Sequence, residues 1–66
     1  MKLGEFLNNI KRVGTKIQIA EFPEDVFYNG TISEFKHWIH SGEYINRIVD
    51  SIFIYDDFYQ IVLEEE

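Results

Sequence analysis

His37 and His40 stand three residues apart, with Glu34 and Glu43 a further three residues to either side. On a helix this spacing places two imidazoles and two carboxylates on neighbouring turns, and two histidines with a carboxylate form a zinc-type inventory. The pattern lacks the His-Glu-x-x-His arrangement of zinc hydrolases, fixes no third ligand and has Trp38 between the two rings. It reads as histidines on the solvated side of a short amphipathic helix, so no metal and no cofactor are expected. The carboxylates Asp50, Asp56, Asp57, Glu64, Glu65 and Glu66 are the other candidates, as an acid/base pair. Such a pair needs a concave, partly dry site to drive its two pKa values apart, whereas loop tips and tails are solvated. There is no glycine-rich phosphate loop and no cysteine nucleophile, and Ser33, Ser41 and Ser51 lack the strand-turn-helix setting of a nucleophile elbow. These residues point to a protein without enzymatic activity.

The elements that position these residues must come from 66 residues, enough for one domain spanning 1–66. A domain of this size buries only about 60% of the surface of its unfolded chain, and association with another molecule would relieve the shortfall. The absence of cysteine fits a reducing compartment. The start Met1-Lys2-Leu3-Gly4-Glu5-Phe6 carries no apolar signal segment, and no run approaches the roughly 20 apolar residues that span a bilayer. A cytoplasmic protein without a membrane partner is expected. The net charge is −6 and uneven: residues 1–20 hold four cations and one carboxylate, residues 21–66 two cations and eleven carboxylates. That balance repels phosphate backbones and disfavours nucleic acid as a partner, leaving only a local contact through Lys2, Lys11, Arg12 and Lys16.

Leu3, Phe6, Leu7 and Ile10 fall at i, i+3, i+4 and i+7, which predicts a helix over 2–12 with Lys11 and Arg12 in its last turn. Thr15–Glu21 alternates, Ile17 and Ile19 on one side and Lys16 and Gln18 on the other, as a half-buried strand does. Pro23-Glu24-Asp25 supplies a turn, and Val26-Phe27-Tyr28 a second short strand. Asn29-Gly30 fits a hairpin turn. Thr31-Ile32-Ser33-Glu34 fits a capping box, and the preferred reading is a helix with Ile32, Phe35 and Ile39 on one face, ending at Ser41-Gly42. Two further apolar runs, Ile48–Tyr55 and Phe58–Leu63, flank Asp56-Asp57 as an antiparallel hairpin. The resulting order is α-β-β-α-β-β, an α+β fold with a four-stranded antiparallel sheet packed by one or two short helices.

A turn at Asp56-Asp57 pairs Ile54 with Tyr59, Phe53 with Gln60 and Ile52 with Ile61. One face then gathers Ile48, Ile52, Ile54, Tyr59, Ile61 and Leu63, and is the expected core. The other gathers Val49, Phe53, Tyr55, Phe58 and Val62 with Arg47, Ser51, Gln60 and Glu64. Either the second helix covers this aromatic face with Ile32, Phe35 and Trp38, or the face is exposed for a protein partner. The expected protein-binding residues are Val49, Phe53, Tyr55, Asp56, Asp57, Phe58, Val62 and Glu64. Acids beside aromatic anchors can also imitate nucleic-acid phosphates and occupy a basic groove on another protein. A homodimer through an exposed face or edge is the alternative.

The Lys2-Leu3-Gly4-Glu5-Phe6-Leu7 start, the Thr15–Ile19 strand, the Tyr28-Asn29-Gly30-Thr31 turn into a short helix and the Val49–Leu63 hairpin together resemble small uncharacterised proteins of Gram-positive phages and mobile elements. The resemblance is one of pattern and implies a phage or mobile-element accessory protein that acts as an inhibitor of a host nuclease or defence factor. It brings no functional residues with it.

Overall fold

Strands form where β-branched and aromatic residues concentrate, and the short helices where apolar residues recur at helical spacing, the second of them behind the Thr31 cap. The computed structural model describes residues 1–21 and 25–65. Along it run α1 (Leu3–Asn8), β1 (Lys16–Glu21), β2 (Asp25–Thr31), α2 (Ile32–His37), a 3-10 turn (Ser41–Glu43), β3 (Val49–Ile54) and β4 (Tyr59–Leu63). The class is α+β, with the four strands in one sheet of order β2-β1-β4-β3. Of the turn expected at Pro23-Glu24-Asp25, only Asp25 lies within the described residues, where it opens β2. Glu66 lies outside them.

The sheet is mixed, which corrects the all-antiparallel expectation. β1–β2 and β3–β4 are antiparallel pairs, but β1 and β4 run parallel, with Ile17 beside Tyr59 and Ile19 beside Ile61. The long connection from β2 to β3, carrying α2 and the 3-10 turn, takes the chain from one sheet edge to the other. β1 and β4 thereby reach the centre, where Ile17, Ile19, Ala20, Ile61, Val62 and Leu63 are buried, and the edges fall to strands carrying Asp25, Asn29, Asp50 and Ser51.

One face of the sheet carries the core. Ile17, Ile19, Ile61 and Leu63 form one buried cluster with Leu3 and Leu7 of α1 and Ile32 and Phe35 of α2. Both helices therefore pack on the aliphatic face, and the alternative that places α2 across the aromatic face is overturned. The capping box that launches α2 is fully formed. The Glu34 amide donates to Thr31 Oγ1 at 3.1 Å, and the Thr31 amide donates to the Glu34 carboxylate at 3.1 Å.

Both helices are shorter than their periodicity predicts. α1 stops at Asn8, where Asn8-Asn9, poor helix formers, give way to tighter bonds from the Asn9 and Ile10 amides to the Phe6 and Leu7 carbonyls. Lys11 and Arg12 consequently lie beyond the helix. α2 ends at His37, and Trp38 turns to extended backbone, so Trp38 joins the core margin while Ile39 is 86% exposed.

The β3–β4 register matches the reading of the sequence from Ile54–Tyr59 to Ile52–Ile61, and then breaks. Ser51 pairs with Val62 and Val49 with Leu63, leaving Asp50 as the extra residue of a bulge. The bulge reverses the sides upstream of it. Val49 turns to the core face with Leu63 and packs against the buried cluster, contrary to its expected place among the aromatic residues. Ile48 and Ile54, expected in the core, are exposed; β3 is an edge strand and the helices do not reach them.

Candidate functional site: the open sheet face and the hairpin tip

Among the described residues no helix crosses the second face of the sheet. Register aligns two rows of side chains on it. One row runs Asn29, Gln18, Gln60 and Phe53, and the next Val26, Ala20, Val62 and Ser51. The amide of Gln60 donates to that of Gln18 at 2.8 Å, tying the two central strands together. Phe53 and Val26, at opposite ends of these rows, are each about half exposed, at 49% and 52%. Val62 and Ala20 lie between them and are buried. Val62 thus shapes this face without offering it a contact.

The hairpin tip continues the face. The Tyr55 amide donates to the Phe58 carbonyl at 3.0 Å, closing the turn, and the two rings stack with centroids 4.8 Å apart and planes 18° from parallel. Tyr55 is half exposed, and Asp56 and Asp57 point into solvent. Because β1 and β4 start at the same end of the sheet, Gly14, Thr15 and Lys16 lie beside this tip. They line a hollow of 470 Å³ with Tyr55–Tyr59. Lys16 and Asp57 also share a smaller hollow of 240 Å³ with Gln18, Asn29 and Phe58. The acidic tip therefore has a cation at its flank.

Of the expected binding residues, Phe53, Tyr55, Asp56, Asp57 and Phe58 come together at this end. Glu64 does not: β4 separates it from the tip by about 20 Å at the usual strand rise. There the Glu64 amide donates to the Ile48 carbonyl, and its own carbonyl accepts from Arg47 at 2.8 Å. Arg47 also pairs with the Glu21 carboxylate at 2.7 Å in a largely buried ion pair, fastening β1, β3 and β4 at that end. Val49 lies on the core side. The contributions of Lys16, Gln18, Asn29 and Val26 went unrecognised. The alternation of Lys16 and Gln18 along β1 is legible, but Val26 and Asn29 share their face only through the bulge at Phe27, and the place of all four beside the hairpin depends on the parallel β1–β4 pairing.

A second aromatic group lies across the molecule, between β2, α2 and the 3-10 turn. A bulge at Phe27 lets Phe27 and Tyr28 both pack against the core. Phe27 stacks on Tyr44 at 5.1 Å, Tyr44 lies flat against Trp38 at 5.7 Å, and Tyr28 meets Phe35 edge-on at 5.2 Å. The Tyr28 hydroxyl donates to the Thr31 carbonyl at 2.7 Å. Burial, and secondarily the charge of Glu34, pushes that hydroxyl above the ordinary tyrosine range. Glu34 is held below the ordinary carboxylate range by the Thr31 amide and, next, the Thr31 hydroxyl. Both shifts belong to the start of α2 and serve its geometry.

His40 Nδ1 lies 2.6 Å from the Glu43 carboxylate at the surface, and its ring meets Trp38 edge-on. Among the described residues no three His, Cys, Asp or Glu side chains gather closely enough to hold a metal ion. No helix among them is long and apolar enough to cross a membrane. No protein family, curated protein or solved structure matches this chain.

Proposed function

We propose that this protein is a binding module for another protein, which it engages through the open sheet face and the tip of the β3–β4 hairpin. The carrying observation is that both helices pack on one face of the sheet, leaving Phe53, Val26 and Tyr55 exposed on the other, with Tyr55 stacked on the half-buried Phe58. Exposed apolar side chains interspersed with amides and charges have the make-up of a non-obligate protein interface. Phe53 and Tyr55 act as anchors, and Gln18, Gln60 and Asn29 supply hydrogen-bonding groups around them. Asp56 and Asp57 favour a partner with cations around an apolar seat, including one whose basic groove normally accepts nucleic acid. The role implied by the phage resemblance, inhibition of a host nuclease or defence factor, would use this same surface.

The test is affinity capture with the wild-type chain and with a Phe53→Ala/Tyr55→Ala variant whose fold is verified by circular dichroism. Partner recovery should fall with the variant, and association of the captured partner should slow as salt is added, because the reach of exposed charges shrinks from about 10 Å at 0.1 M salt to about 3 Å at 1 M. Undiminished recovery by the variant refutes the proposal.

A further inference from the structure

The outer edge of β3 is half filled by the chain itself. The Val49 amide donates to the Met1 carbonyl at 2.8 Å, the Leu3 amide donates to the Arg47 carbonyl at 2.8 Å, and Lys2 bridges to Ile48 between them. Beyond Val49 the lane beside β3 is empty among the described residues, since β3 ends the sheet. Backbone groups alternate in direction along a strand. With the Tyr55 amide turned inward to Phe58, the amides and carbonyls of Ile52 and Ile54 turn outward, toward that lane. Phe53 lies between them, half exposed, and Ile54 is 75% exposed. Edge strands ordinarily blunt such a stretch with charges, bulges or proline. Here the bulge at Asp50 stops short of it, and Ser51-Ile52-Phe53-Ile54 carries no charge.

We infer that this free half-edge pairs with the same half-edge of a second copy, antiparallel about a two-fold axis through Phe53. In that register Ile52 faces Ile54 of the second copy and Ile54 faces its Ile52, so the outward backbone groups satisfy one another at both positions. On the helix-bearing side the four isoleucines cover each other, and on the open side the two Phe53 rings meet, as cross-strand pairs do. Neighbouring registers fail. Centring on Ile52 drives Tyr55 of the second copy toward Val49, where Met1 already sits, and centring on Ile54 opposes Ile52 to Asp56 in the turn. The chosen register brings Asp56 of each copy opposite Asp50 of the other, a repulsive contact, while the tip carboxylates come up against Lys2 at the end of the same lane. Both copies carry a charge of −6, so this association should strengthen with added salt, opposite to the partner binding proposed above. Each reading can therefore fail without the other.

Sedimentation equilibrium across a concentration series, with amide exchange followed by NMR, tests the pairing. The Ile52 and Ile54 amides should exchange freely when dilute and become protected as dimer forms, while the inward Phe53 and Tyr55 amides stay protected throughout. Ile54→Pro removes an outward donor at a position where an edge strand tolerates proline. It should weaken the dimer about tenfold or more through the hydrogen bonds lost. Should that variant disturb the fold, Ile54→Lys, which places a charge on the edge, should have the same effect. A monomer at every concentration overturns the inference. So does a dimer unmoved by a folded variant, or protection of Ile52 and Ile54 that arises only on adding a foreign protein.

Discussion

The molecule holds two groups of aromatic side chains that are alike in composition and opposite in situation. Phe27, Tyr28, Phe35, Trp38 and Tyr44 interlock on the helix side, with Phe35 only 1% exposed. Phe53, Tyr55 and Phe58 lie at the far end of the sheet, where Tyr55 and Phe58 stack on each other and no helix covers them. The first group closes a gap left by two helices of six residues each, too short to roof the sheet alone. The second contributes far less to folding, which leaves it available for contact. Aromatic residues thus serve as mortar where secondary structure runs out, and under the proposed function as anchors where it ends.

The sharpest way to break this contrast is to truncate one ring from each group. Phe35→Ala should cost about 3–5 kcal/mol, the usual range for a buried phenylalanine. That approaches the low end of the roughly 5–15 kcal/mol that separates a folded domain from its unfolded chain, the end where so small a domain falls. Urea titration should find this variant largely unfolded. A smaller effect is expected at Thr31, whose cap starts the helix that carries Phe35. Thr31→Ala should lower stability by about 1 kcal/mol, read from the urea midpoint.

The same cap has a pH signature. Glu34 is held below its unfolded value, so its stabilisation is complete above the ordinary carboxylate range and is lost as pH falls through the folded value. Glu34→Gln should flatten that part of the acid limb in urea midpoints measured across a pH series. The smallest effect belongs to Phe53→Ala. This half-exposed ring should cost about 1 kcal/mol or less in thermal or urea unfolding. A loss comparable to that of Phe35→Ala would erase the distinction between the two groups.

Much of this architecture is legible in local pattern. The Thr31-x-x-Glu34 box marks the start of α2 because both partners of the cap lie within one turn. The register from Ile54–Tyr59 to Ile52–Ile61 follows from a tight turn at Asp56-Asp57. The bulge at Asp50 is less legible, since no residue there demands it, and it moved Val49 to the core side. Periodicity overstates the length of both helices: it continues to Ile10 and Ile39, but the α-helices end at Asn8 and His37, past which the amides bond three residues back. Of the expected binding residues, those clustered in the turn and its flanks lie together. Glu64 was separated because distance along a strand is distance in space.

By itself the sequence determined the two hairpins, the two capped or amphipathic helix starts and the division of the terminal hairpin into an aliphatic and an aromatic side. Each of these rests on residues a few positions apart, whose relation short-range geometry fixes. Only the tertiary structure decided which strands meet and which face the helices cover. β1 beside β4, Lys16 beside Asp57, Arg47 across to Glu21 and Met1 on part of the β3 edge join residues far apart in the chain. Several arrangements would satisfy the same local pattern. The one adopted sets β1 and β4 at the centre with Ile17, Ile19, Ile61 and Leu63 buried under both helices, and among the described residues it leaves the other face without a helix and half of an edge without a strand.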